Sequence, residues 1–149
     1  CLPKTAWPPT SAGRIGRADF SYVCLDQQYS RVNTPQSVLE LAQSCNHGNL
    51  QDHELKLRLH RALFGQQMWD KRCDTLSGGE RMRLCLCSLM IANHVPDLFV
   101  LDEPTNNLDL SSLAILTRTV RNYRGTLLVV SHDGHFTDQI GITRTVELE

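Results

Sequence analysis

The sequence predicts an α/β fold with a largely parallel sheet and a mostly helical block inserted between two strand-bearing parts. Three observations predict it. "DLFVLDEP" and "TLLVVSHD" are short apolar runs that end on polar residues, as strands buried on both faces do. Longer segments with helical spacing alternate with these runs, which favours crossover connections and parallel pairing. The stretch from Asn33 to about Arg72 carries helical patterns and no strand signal.

Taken in order, Cys1 to Gly16 is rich in Pro, Thr, Ser and Gly and reads as irregular. "DFSYVCLDQ", Asp19 to Gln27, reads as a strand that stops at Asp26, Gln27 and Gln28. "TPQSVLELAQ" predicts a helix with Thr34 as N-cap and Pro35 at its first position. From about Gln51 to Gln67 a second helix is expected, with Leu55, Leu59, Ala62 and Leu63 on one face. Lys56, Arg58 and Arg61 lie off that face and read as solvated charge. In "LSGGERMRLCLCSLMIA" Ser77 is suited to cap a helix that Glu80 opens. "DLFVLDEP" then gives a buried strand, and "LDLSSLAILTRTVRNYRG" a helix stopped by Gly125. "TLLVVSHD" gives another buried strand, and "ITRTVEL" a short final one.

The 149 residues and formal net charge of −1 are those of one domain or a large part of one. Near-neutral charge argues against a general polyanion binder while allowing a local basic face. No apolar run reaches the roughly 20 residues of a membrane-spanning helix, and Cys1 to Thr10 has no secretory signal pattern. The six cysteines include no Cys-x-x-Cys pair, so they read as small apolar thiols in a reducing cytoplasm rather than a disulfide scaffold. His132 and His135 are three apart, but Gly134 between them weakens a helical metal pair.

Three places carry chemistry, each at a strand's carboxyl end or a helix's amino end, where α/β sheets bind ligands. At Ser77, Gly78 and Gly79, backbone N–H groups at a helix start suit phosphate oxygens; a Ser-capped helix after a tight turn is the plainer account. Asp102 at a strand tip suits Mg²⁺ held through water, and Glu103 suits the orientation of an attacking water. Solvated acids at a turn are the alternative there. His132, after "LLVVS", suits a phosphate contact or simply a turn cap.

Together and in this order, these segments resemble the ATP-binding cassette ATPases from Gly13 to Leu148. "YVCLDQ" looks like the family's Q-loop, "LSGGE" its signature, "LFVLDEP" its Walker B strand, "NNLD" its D-loop and "SHD" its switch histidine. The resemblance implies a P-loop NTPase-type cassette fold and ATP with Mg²⁺ as cofactors. It implies that Gln27 senses the metal and γ-phosphate, and that Ser77, Gly78, Gly79 and Glu80 form the signature turn facing a nucleotide on an opposing cassette. Asp102 with Gln27 would hold the metal, Glu103 would be the base, and His132 would reach the γ-phosphate. Asn107 and Asp109 would line the seam between two cassettes, in one chain or in a dimer. "LDEPTNNLD" with "LSGGERMRL" is similar to the ABC-F proteins, cytoplasmic tandem ATPases that act on ribosomes, where rRNA or tRNA would be met by parts outside these residues.

No G-x-x-x-x-G-K-[ST] occurs. The expectation is therefore a cassette fragment, inactive alone, in three parts. Residues 1–32 would be a remnant of the core subdomain, 33–75 the helical subdomain, and 76–149 the half with signature, Walker B, D-loop and switch histidine. Two other functions fit the same motifs: the ATP-binding subunit of a membrane transporter, and a non-catalytic module that pairs with another cassette. A missing central strand and helix would also leave a sheet edge open to self-association.

Overall fold

The computed structural model describes residues 20–146 apart from 49 and 94. Three strands, β1 (Tyr22–Leu25), β2 (Leu98–Asp102) and β3 (Thr126–Val130), form a parallel sheet in the order β1-β2-β3. Among the described residues five α-helices accompany it: α1 (Val38–Cys45), α2 (Asp52–Arg61), α3 (Gly78–Ile91), α4 (Leu110–Arg121) and α5 (Gly134–Ile140). The parallel α/β sheet and the helical block after β1 are those the sequence predicts. The expected irregular start, "SAGRIG" included, lies outside the described residues. So does the end of "ITRTVEL"; its described part, 142–146, forms no strand.

The register places Val23, Phe99 and Leu127 side by side, and Leu25, Leu101 and Val129 two residues on. This face is the core face, where Val23, Leu25, Phe99 and Leu101 are buried with Leu116, Val120 and Phe136 from the helices. The opposite face is open. Cys24, Leu128 and Val130 are exposed, so β2 and β3 are not the doubly buried strands their apolar runs suggest. A run without alternation fits either a doubly covered strand or one with a bare apolar face.

α3 is the central helix. Met82, Leu84, Cys85, Leu86, Cys87, Leu89 and Ile91 are all buried, so apolar residues surround its axis. α1, α2 and α4 all pack against it. Burial also explains the inert thiols: it pushes Cys85 and Cys87 up to about 12 and Cys73 up to about 11.

Several boundaries differ from expectation, each for a local reason. α1 is capped by Ser37 rather than Thr34, because Ser37 and Glu40 exchange side-chain and backbone bonds in a capping box. α2 stops at Arg61, well short of Gln67. Leu63 takes a left-handed φ of 65° and turns outward, and Phe64 takes the core place instead. The Trp69 indole N–H donates to the Phe64 carbonyl and holds that turn. Arg58 is no free charge: it donates to the Met90 carbonyl at the C-terminus of α3, at 2.5 Å. Lys56 pairs with Asp52 and lies over the Trp69 ring. α4 ends at Arg121 with Asn122 as its C-cap, before Gly125, whose smallness has another reason: a Cβ there would strike Tyr123.

Candidate functional site

The sequence-selected residues gather at the carboxyl ends of the strands and at two helix starts. β1 leads into a turn in which the Tyr29 N–H and the Ser30 N–H and O–H donate to Asp26. Gln27 is exposed in this turn. Tyr29 follows it in a left-handed conformation, φ 51°, with its ring buried. Its hydroxyl donates to the Pro104 carbonyl at 3.5 Å and so ties the turn after β1 to the turn after β2. Burial pushes the Tyr29 phenol up to about 12, so it remains a donor.

β2 ends on Asp102, whose register partner on β3 is Val130. Glu103 follows with a φ of 46°, a left-handed conformation that costs roughly 1–2 kcal/mol for a residue bearing a Cβ. Two contacts hold it there. Its N–H donates to the Val130 carbonyl at 2.8 Å, and its Oε2 lies 2.8 Å from Nδ1 of His132. The carboxylate is largely shielded and the imidazole largely exposed. Contact with Glu103, reinforced by its charge, holds the His132 pKa above its ordinary value. Strain of this kind on a large acidic residue marks a place where the side chain's direction is needed. Asn107, two residues before the helix cap, is also left-handed, φ 58°, a conformation asparagine tolerates.

At the start of α3, Ser77 and Glu80 form the expected capping box. The Ser77 Oγ accepts from the Glu80 N–H, which leaves its own proton free to donate to a ligand. The Glu80 carboxylate accepts from the Ser77 N–H and pairs with Lys71 at 3.3 Å. The two glycines differ. Gly78 is exposed with open space where a Cβ would stand, whereas Gly79 is buried against Asp109 and Ser112. Asp109 caps α4 and accepts from Ser111, from the Ser112 hydroxyl and from the Ser112 N–H. Those donors, Ser111 first, hold its carboxyl down at about 2.

The structure thus brings Glu103 to His132 and Gly79 to Asp109. Tyr29 and Ser112 join these groupings without any signal in the sequence pattern, since a lone tyrosine or serine has no diagnostic spacing. Among the described residues no three His, Cys, Asp or Glu side chains cluster to cage a metal ion. A cleft of about 860 Å³ lies elsewhere, between α4 and α5.

Residues 13–106 match the family described as ABC transporter. Over 129 residues the chain is 36% identical to the energy-dependent translational throttle protein EttA of Haemophilus influenzae, covering 85% of this chain and 22% of that protein. It is 42% identical over 96 residues to ABC transporter F family member 5 of Arabidopsis thaliana, covering 64% of this chain and 13% of that one. Among solved structures, the archaeal ribosome recycling factor aABCE1, in complex with the ribosomal stalk protein aP1, superposes with a TM-score of 0.64 at 26% identity. That match covers 87% of this chain and 25% of the other. The chain therefore spans about a quarter or less of the length of these relatives.

Proposed function

The chain belongs to the ABC transporter family, and on that premise we propose that it supplies the signature turn, base and switch histidine of an ABC-F type ATPase that works on ribosomes. One observation carries the reading most: Glu103, held left-handed at the end of β2, with its carboxylate against His132 beyond the end of the neighbouring β3. Relatives named for translation and for ribosome recycling support the ribosomal setting, which would place the protein in the cytoplasm.

In this reading Glu103 accepts a proton from the attacking water while its backbone N–H, bonded to Val130, keeps the carboxylate aimed. Oε2 has no hydrogen-bond partner among the described groups beyond the His132 contact, so it retains acceptor capacity. His132, exposed and held toward its protonated form, presents positive charge to a terminal phosphate. Ser77, with the N–H groups of Gly78 and Gly79, meets the phosphate of a nucleotide on a second cassette, and Glu80 shapes the turn. Asn107 and Asp109 line that seam. Asp102 and Gln27 would hold Mg²⁺, an ion that keeps most of its water and so needs few protein ligands. When bound, that ion supplies charge neutralisation across the phosphate oxygens. Residues 1–32 and 76–149 would form core parts and 33–75 the helical part.

The 149 residues contain no phosphate-cradling G-x-x-x-x-G-K-[ST] loop. By themselves they should bind Mg-ATP weakly and hydrolyse none; micromolar affinity by calorimetry would contradict this. The main test uses the whole gene product with Glu103→Gln. Hydrolysis should fall at least about a hundredfold while ATP binding persists, and the variant should cosediment with ribosomes only when ATP is present. Tight ATP binding without ribosome retention would overturn the ribosomal reading in favour of a transporter subunit. Undiminished turnover would overturn Glu103 as base.

A further inference from the structure

The two glycines of the signature turn stand in opposite surroundings. Nothing lies within 4 Å of where a Cβ on Gly78 would be. On Gly79 the same atom would stand 2.8 Å from Oδ1 of Asp109, 2.8 Å from Oγ of Ser112 and 3.3 Å from Cβ of Ser112. Real Cβ atoms do not approach so closely. Gly79 is therefore a point of close approach between α3 and the start of α4, and its missing side chain admits Asp109 and Ser112.

Ser112 is fully buried, a rare state for a serine, and its hydroxyl is spent on Oδ1 of Asp109. Its N–H donates to the other carboxylate oxygen. The carboxylate thus caps its own helix, α4, and lies against the first turn of α3. One negative charge sits beside two helix amino ends, where both partial positive charges favour it. Leu116, one turn further along α4, is fully buried and anchors the arrangement.

We propose that Ser112 is a positioning residue: its hydroxyl locks Asp109 against Gly79, so that the signature turn and the start of α4 move as one body. The proposal rests on the functional reading above, in which Ser77 and Gly78 face a nucleotide while Asn107 and Asp109 face the second cassette. Locked together, the two contacts are made or broken at once, so closure on a nucleotide and alignment of the seam become a single step. The missing side chain of Gly79 is then explained by its packing against Asp109 and Ser112.

The test measures ATP turnover of the whole gene product carrying Ser112→Ala, with Ser112→Thr, Gly79→Ala and Glu103→Gln in parallel. Ser112→Ala removes only the hydroxyl. It should lower kcat about tenfold with KM changed less than about twofold, because the lock governs alignment after binding. Ser112→Thr, which keeps the hydroxyl, should recover most of the loss. Should Ser112→Ala fail to fold by circular dichroism, Gly79→Ala must show the same split between kcat and KM. Unchanged kcat in a folded Ser112→Ala protein overturns the proposal, as does a fall that merely follows the loss of folded protein. Glu103→Gln separates the two levels. If it abolishes turnover while Ser112→Ala does nothing, only the lock fails; if it leaves turnover intact, the catalytic reading fails first.

Discussion

Glu103 is a costly residue for its backbone. Asparagine adopts a φ near +50° far more readily than glutamate does, so Glu103→Asn should stabilise the fold by up to about 1 kcal/mol while ending the proposed catalysis. Urea denaturation of the variant checks this, and a net loss would mean that the side chain's contacts outweigh its strain. The same change should return the His132 pKa toward its ordinary 6.5, since the contact that raises it is removed. The sign follows from linkage. A raised folded-state pKa adds stability that is full below about 6.5 and is lost as pH rises through the raised value. In Glu103→Asn that slope should flatten, and a two-dimensional NMR titration of the imidazole reads the shift directly. Asp102, Glu103 and His132 were visible in the sequence because polar groups end apolar strands. Tyr29 and Ser112 were not, because their roles come from contacts with Pro104 and Gly79, residues distant in the chain.

The elements show which signals are local and which are not. Ser37 and Ser77 each form a capping box with a glutamate three residues on. The second is plain from the sequence; at the first, Thr34 and Pro35 offer a competing start, but in the fold the Val38 N–H donates to the Lys71 carbonyl and the helix begins there. Ser37→Ala should cost about 1 kcal/mol of stability, whereas Thr34→Ala should forfeit no cap bond, a contrast that denaturant midpoints resolve. The early end of α2 was hidden for a similar reason. Helical spacing continues through Leu63, and only the docking of Phe64 and Trp69 breaks it. Arg58 looked like solvated charge because its acceptor, the Met90 carbonyl, lies on a different helix.

For the whole molecule, parallel pairing was legible from alternating element types, but the burial of only one sheet face was not. Apolar strands suited to cover on both sides here expose Leu128 and Val130, each about half accessible. The isolated 149-residue chain should bind a hydrophobic dye and self-associate in light scattering; a dye-silent monomer would show that the face is covered in solution. Strand order has a further consequence, for time rather than stability. β2 and β3 are joined through α4 alone, but β1 and β2 are brought together beside the bond from Ser21 to Asp97, residues 76 positions apart. A contact of that span closes late, since the loop entropy must be met before any pairing energy returns. During synthesis, then, β1 cannot meet β2 until α1, α2 and α3 have been made. Until then the four residues of β1 have no β2 to pair with, and the helices made in between emerge before that bond can form.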